Sequence, residues 1–358
     1  MSESHPPSQS SAASTIVYTN AVYYANYRVR QGESQTPASL NYNCISHVFY
    51  AFANVSADGS ILLSDEFVDA QMPVDGASGC LGSFMRLKQQ HEHLRVILSI
   101  GGGNSSQDFA VVASTAATRD AFGRSAKGLL EASGLDGIDI NWHHPSDPEQ
   151  GRDFLALLAA VRLYLPNESY LLTAALPAGQ WALQNIDLYQ AREYLDFINL
   201  MAYDFAGSWS FNSGHQAQLY PTNPGEESGS AGVEYLLSRG FPASKIVLGI
   251  PVYGRSFLGA TGPGQPFSGP GGRDGIFDYR ELPRAGTEEV ISTQVVAASC
   301  IGGDGGFVSY DNAQTVVLKA SYCRQKGLKG LFYWVATADA LPGPRSLVSS
   351  GFKALHGS

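Results

Sequence analysis

Leu135-Asp136-Gly137-Ile138-Asp139-Ile140-Asn141-Trp142-His143-His144-Pro145 is the stretch on which the fold turns. It reads as a strand over Gly134 to Trp142. Strand alternation puts Asp139, Asn141 and His143 on one face and His144 on the other. Asn141 is placed to accept a hydrogen bond from one imidazole nitrogen of His143, fixing the tautomer and presenting the other nitrogen to a ligand, with Asp139 polarising the set from below. His144 reads as structural. No second His, Cys or carboxylate stands at ligand spacing to His143 in the sequence, so no metal and no cofactor is expected.

Working outward, short β-branched and aromatic runs alternate with helical periodicity along the chain, the mark of βα units around a parallel sheet. The strands read as Thr15 to Tyr24, His47 to Val55, Arg95 to Gly101, Gly134 to Trp142, Leu171 to Leu176, Phe197 to Tyr203, Lys245 to Pro251 and Gly330 to Trp334. Eight strands close a (β/α)8 barrel, which needs about 250 residues. The chain has 358. The excess falls in a Gly- and Pro-rich section, 256–308, too long for a βα connection and expected to form a small α+β insertion between strands seven and eight. The barrel is then expected over 16–255 and 309–358, with its site at the C-terminal ends of the strands.

Hydrophobic residues make up 44% of the chain and charged residues 15%, a globular composition. The net charge of -9 is diffuse and argues against nucleic acid or an anionic membrane surface as partner. Residues 1–15 are Ser- and Pro-rich and read as a disordered tail. They hold no apolar run of the kind a secretory leader needs, and no segment is long enough to span a membrane, so a cytoplasmic location is expected. The four cysteines, Cys44, Cys80, Cys300 and Cys323, show no metal or disulfide spacing and read as free thiols. Glycosylation triplets at Asn54, Asn104 and Asn167 carry no weight without a leader.

Several motifs recur in a fixed order: Ala21-Val22-Tyr23-Tyr24-Ala25-Asn26-Tyr27, Tyr50-Ala51-Phe52-Ala53, Leu98-Ser99-Ile100-Gly101-Gly102, Met201-Ala202-Tyr203-Asp204-Phe205-Ala206-Gly207-Ser208-Trp209, Val252-Tyr253-Gly254-Arg255 and Phe332-Tyr333-Trp334. Together they resemble family 18 of the glycoside hydrolases, the fungal chitinase-like members, from about Val17 to Leu355. The family's Asp-x-x-Asp-x-Asp-x-Glu strand is matched by Asp136 and Asp139. Asn141 stands where the third Asp belongs, and His143 where the family has the glutamic acid that protonates the glycosidic oxygen.

The resemblance implies a ligand-binding set. Tyr203 is expected to point its hydroxyl at an acetamido group with Asp204 supporting it, Trp334 to floor the sugar site, Arg255 to lie along the rim, Trp209 to belong to the ligand-binding set, and Tyr23 and Ser99 to hydrogen-bond Asp139. It also implies substrate-assisted hydrolysis, in which the acetamido oxygen attacks and an enzyme acid protonates the leaving group. Deleting such an acid costs roughly 10²- to 10⁴-fold. Further departures are Gly103 for a sugar-stacking Trp, Val335 for Glu, Leu176 for a small residue and Ser210 for an acid; they are expected to shorten the platform and make the pocket more apolar.

Ordinary chitinase activity is therefore not expected. The leading expectation is a repurposed barrel enzyme in which His143 does acid/base chemistry (cyclisation, dehydration or isomerisation) on a small metabolite. The alternative is a non-catalytic, lectin-like binder of short chito-oligosaccharides, and a residual glycosidase acting on a small N-acetylglucosamine conjugate is the third.

Overall fold

The alternation seen in β1 (Thr19–Ala25) sets the architecture: Ala21 and Tyr23 pack inside the barrel, while Val22 and Tyr24 pack outside against the helices. β2 (His47–Val55), β3 (Arg95–Gly101), β4 (Gly137–Asn141), β5 (Leu171–Pro177), β6 (Phe197–Met201), β7 (Ile246–Pro251) and β8 (Gly330–Trp334) follow the same rule. Each pairs in parallel with the next, and β8 pairs with β1, so the sheet has no open edge within the ring. The structure is a computed structural model that describes residues 17–32, 35–103 and 106–357. The tail expected over 1–15 and the triplet at Asn104 lie outside the described residues.

Two hydrophobic layers result. The inner one contains Ala21, Phe49, Ile97, Phe197, Val247 and Phe332. The outer one lies between strands and helices, and Ile138 and Ile140 of β4, with Trp142 just after it, contribute to it. The helix Pro148–Tyr164 shows why the ring of helices forms where it does. Asp147 caps it by accepting from Glu149 and Gln150 backbone N–H groups at 2.9 Å, Pro148 opens it, and Phe154, Leu157, Leu158 and Val161 bury its inner stripe. Among the described residues β1 and β2 are joined by 3-10 turns and no α-helix.

Two sequence expectations need correction. The strand read from Gly134 begins only at Gly137, because Gly134 sits at φ 70° and closes the helix Ala116–Ser133 in a left-handed cap. The insertion is also not α+β. Its described residues form a five-stranded antiparallel sheet, ordered Ile276–Asp278, Tyr253–Phe257, Phe307–Tyr310, Ala297–Ile301, Val290–Ser292, with one 3-10 turn at Tyr279–Glu281. Its apolar runs are too short, and its turns too frequent, for a helix. The sheet also starts at Tyr253, so Arg255 belongs to it and not to the barrel.

The insertion is tied to the barrel by a buried ion pair. Lys319, on the helix Ala313–Lys326, donates to Asp311 Oδ2 and to the Ala217 carbonyl, both at 2.6 Å, and the two charged side chains are 2% and 1% exposed. Removing one partner leaves the other charge buried and uncompensated. Lys319→Met should therefore lower the stability by about 3–5 kcal/mol, read as a fall in the urea midpoint. A midpoint within error of wild type would show that this pair is not what seats the insertion.

Candidate functional site

Nine side chains or backbones from six barrel strands and their C-terminal extensions enclose a cavity of about 210 Å3: Tyr23, Phe52, Gly103, Asn141, His143, Met201, Tyr203, Asp204 and Trp334. Beneath it lies Asp139, fully buried. Its carboxylate accepts from Tyr23 and Ser99 on Oδ2, both at 2.8 Å, and on Oδ1 from Thr173 at 2.7 Å and more weakly from Asn199 at 3.5 Å. Asn199 also donates to the Tyr23 hydroxyl at 2.9 Å. Burial pushes the Asp139 carboxyl above its usual range, and the bonds from Thr173, Ser99, Tyr23 and Asn199 pull it back.

Above this base the relay expected from the sequence is not formed. Asn141 is buried and lines the cavity, but its Oδ1 accepts no hydrogen bond, so it does not set the His143 tautomer. The cause is the length of β4. The strand ends at Asn141, and His143 stands beyond it at the cavity mouth, exposed to solvent. Desolvation by the surrounding wall lowers the His143 pKa, the neighbouring His144 pushes the same way, and Asp204 opposes both. The ring is therefore neutral at pH 7. A Cβ built on Gly103 would lie 3.2 Å from His143 Cε1, so the imidazole rests against this glycine. His144 faces away from the cavity and meets Trp181 edge-on.

The opposite wall comes from β6. Asp204 has a left-handed backbone, φ 62°, and its Oδ1 accepts from the Tyr253 hydroxyl and Arg255 Nε, each at 2.6 Å. It therefore braces the insertion sheet, and the expected support of the Tyr203 hydroxyl is not present. Burial, with Asp204 and Asp139 nearby, raises the Tyr203 pKa well above that of a free phenol, so its O–H remains a donor at neutral pH. Trp334 packs against Phe52 and Tyr23, with ring centroids 5.5 Å away in each case.

Of the residues singled out in the sequence, Tyr23, Asn141, His143, Tyr203, Asp204 and Trp334 line the cavity together. Ser99 and Asp139 lie below it. Arg255 is buried behind Asp204, with its guanidinium 4.4 Å from the centre of the exposed Trp209 ring. Asp136 is elsewhere. It stands at the start of β4, where it accepts from Val96 N at 2.7 Å and pairs with Lys88. Leu176 and Val335 face the outer core and not the cavity, so they do not make it more apolar. Ser210 caps a turn by accepting from Gly207 N. Sequence reasoning missed Thr173, Asn199 and Met201, although counting every second residue along β5 and β6 reaches all three.

The described architecture and motifs meet an independent comparison. The family model described as glycosyl hydrolases family 18 matches residues 19–339. The chain belongs to this family. It is 38% identical to Chitinase 1 of Aphanocladium album, over 94% of this chain and 85% of that one, and 38% identical to Endochitinase 1 of Metarhizium robertsii, over 95% and 86%. Among solved structures, a mutant family 18 chitinase from Cycas revoluta in complex with (GlcNAc)4 superposes with a TM-score of 0.83 at 28% identity, covering 94% of this chain and 99% of that one. Among the described residues of this family member, no group of three or more His, Cys, Asp or Glu side chains is placed to hold a metal ion.

The His143 environment has a measurable sign. In an NMR titration assigned with His143→Gln, the ring should titrate below the ordinary value of about 6.5. A depressed value means that the unfolded chain takes up the proton first as pH falls. The stability contributed by neutral His143 is then present above about pH 6.5 and is lost as pH drops towards the depressed value. A ring titrating at or above that of a free imidazole would contradict this environment.

Proposed function

We propose that this family 18 member is a non-hydrolytic binding protein that takes one N-acetylated sugar unit of a short saccharide into the barrel mouth. The observation that carries the reading is the proton inventory of the cavity. A neutral, solvent-facing imidazole stands in the acid position, and the one carboxylate among the described lining residues, Asp204, is engaged by Arg255 and Tyr253. Neither is suited to protonate a leaving oxygen. The binding half of the pocket is intact. Tyr203 offers an O–H donor, Asn141 Oδ1 an unused acceptor, and Trp334 and Phe52 an aromatic wall. This is the complement of an acetamido sugar, with its carbonyl, its N–H and an apolar ring face.

Size supports one ring and not an extended chain. At about 210 Å3 the cavity is smaller than the roughly 300 Å3 at which drug-sized pockets begin. The Cycas revoluta relative, solved with (GlcNAc)4, supports the ligand class. The second reading, proton transfer by His143 on a small metabolite, is favoured by the neutral ring at the mouth. It is weakened because Asn141 Oδ1 accepts nothing from the His143 ring, so the Asn141 relay that this reading invokes is not made. That reading requires His143→Ala to abolish a conversion that wild type performs.

Wild-type protein should release product from a fluorogenic chitotrioside at least roughly 10²-fold more slowly than an active relative. N-acetylglucosamine or its oligomers should still bind by calorimetry, with Trp334→Ala weakening that binding by about 10-fold, the effect of losing one stacked aromatic of roughly 1.4 kcal/mol. Turnover comparable to that of an active relative would overturn the reading, as would saccharide binding indifferent to Trp334→Ala.

A further inference from the structure

Beside the pocket, on the far side of the β4 extension, stands a half-exposed indole that the site described above does not use. Trp181 follows β5 and is 53% exposed, yet it is held by two partners. Its Nε1 donates to Glu227 Oε1 at 2.5 Å. The His144 ring meets it edge-on, at 4.8 Å between centroids and 89° between planes. Gly179 leaves room for both partners, since a Cβ there would lie 2.2 Å from Trp181 Nε1 and 2.4 Å from Glu227 Oε1. Glu227 is in turn anchored through its carbonyl, which accepts from Gln218 Nε2 at 2.7 Å, and Gln218 is 4% exposed. An exposed tryptophan ordinarily gains from turning its ring onto the protein surface. This one is fixed with a face to solvent.

The polar groups beside the indole are a carboxylate and an imidazole. Glu227 Oε2 makes no hydrogen bond among the described residues. His144 Nδ1 lies 3.2 Å from the Pro145 carbonyl, which can only accept, so Nδ1 donates there and Nε2 is the ring nitrogen left to a ligand. An immobilised apolar ring flanked by a carboxylate acceptor and an imidazole nitrogen is complementary to a pyranose, which has an apolar C–H face rimmed by hydroxyl groups. Two other exposed aromatics lack this construction. Trp209 has Arg255 over its ring, and Phe211, 94% exposed, has no polar handle.

We propose that Trp181, with Glu227 and His144, forms a second sugar-binding platform that takes the next pyranose ring of a saccharide whose N-acetylated unit occupies the barrel pocket. The proposal rests on the binding reading above and extends it in one direction, from the pocket across His143 and His144 to Trp181. It places the chain-extending contact after β5, whereas the stacking position that Gly103 leaves empty follows β3. Fixing the indole beforehand lowers the ordering cost of binding.

Calorimetry with N-acetylglucosamine, its dimer and its trimer tests this on the full chain and on Trp181→Ala, Trp181→Phe, Glu227→Gln and Trp209→Ala. Wild type should bind the trimer more tightly than the monomer. Trp181→Ala should weaken trimer binding roughly 3- to 10-fold, the worth of one aromatic stack, while changing monomer binding less than about 2-fold. Trp181→Phe should keep part of the gain, and Glu227→Gln should lose part of it. An unchanged melting temperature shows that Trp181→Ala is folded; should it not be, the Phe and Gln variants read the same contact. The platform is overturned alone if the monomer binds but length brings no gain, or if the gain survives in Trp181→Ala and vanishes in Trp209→Ala. If no saccharide binds wild type at all, the pocket reading falls and the platform with it.

Discussion

A single buried carboxylate organises the barrel mouth. Asp139 has no access to water and would be costly in that position without donors. They come from four different strands: Tyr23 from β1, Ser99 from β3, Thr173 from β5 and Asn199 from β6. The hydroxyls can reach the carboxylate only if each strand keeps its register, so the hydrogen bonds and the ring closure support one another. The same network aims the Tyr23 ring at Phe49 on one side and at Trp334 on the other, and so transmits the position of Asp139 to the pocket floor. The site is thus held by the barrel interior, and the loops above it are free to differ.

Much of this was legible in the sequence because alternation is a local signal with a fixed period. The bounds of β2, β3 and β8 coincide with the runs read for them, and Tyr23, Ser99, Asp139, Tyr203 and Trp334 fall where their motifs suggested. What escaped depends on geometry that period alone does not encode. The left-handed turn at Asp204 swings its carboxylate from Tyr203 to Arg255 and Tyr253. The end of β4 at Asn141 removes His143 from the alternation that would have set it over Asn141. Leu176 faces outward by the very parity that carries Thr173 inward. The insertion was misread because a Gly- and Pro-rich composition says where regular structure is interrupted, not which kind it interrupts.

The lysine under the insertion and the arginine beside it illustrate two uses of buried charge. Lys319 and Asp311 are sealed from solvent and satisfy each other, with Thr315 and the Ala217 carbonyl completing the set. Such a pair adds little net stability over an apolar contact but is costly to break singly, so it fixes where the insertion sits. Arg255 is also buried, and it shares its guanidinium between a carboxylate and an indole face. This contact connects the insertion to the pocket wall itself, because Asp204 belongs to both.

Gly103 and His143 touch each other at the cavity mouth. The position of a Cβ on Gly103 lies 3.2 Å from His143 Cε1 and 3.6 Å from Nε2, so a side chain larger than hydrogen at 103 would crowd the imidazole in its present place. A bulky residue at 103 and the present placement of the His143 ring therefore compete for one space. Asn141 belongs to the same set. With a carboxylate there, Asp139 would have a neighbour with which to share a proton; an amide neither takes nor passes one at neutral pH, and its Oδ1 is left without a hydrogen-bond donor. A proton cannot be relayed from the barrel interior to the mouth through an amide. Changing His143 alone to an acid would thus supply a proton donor that solvent at the mouth can reprotonate, but with no titratable group between it and Asp139.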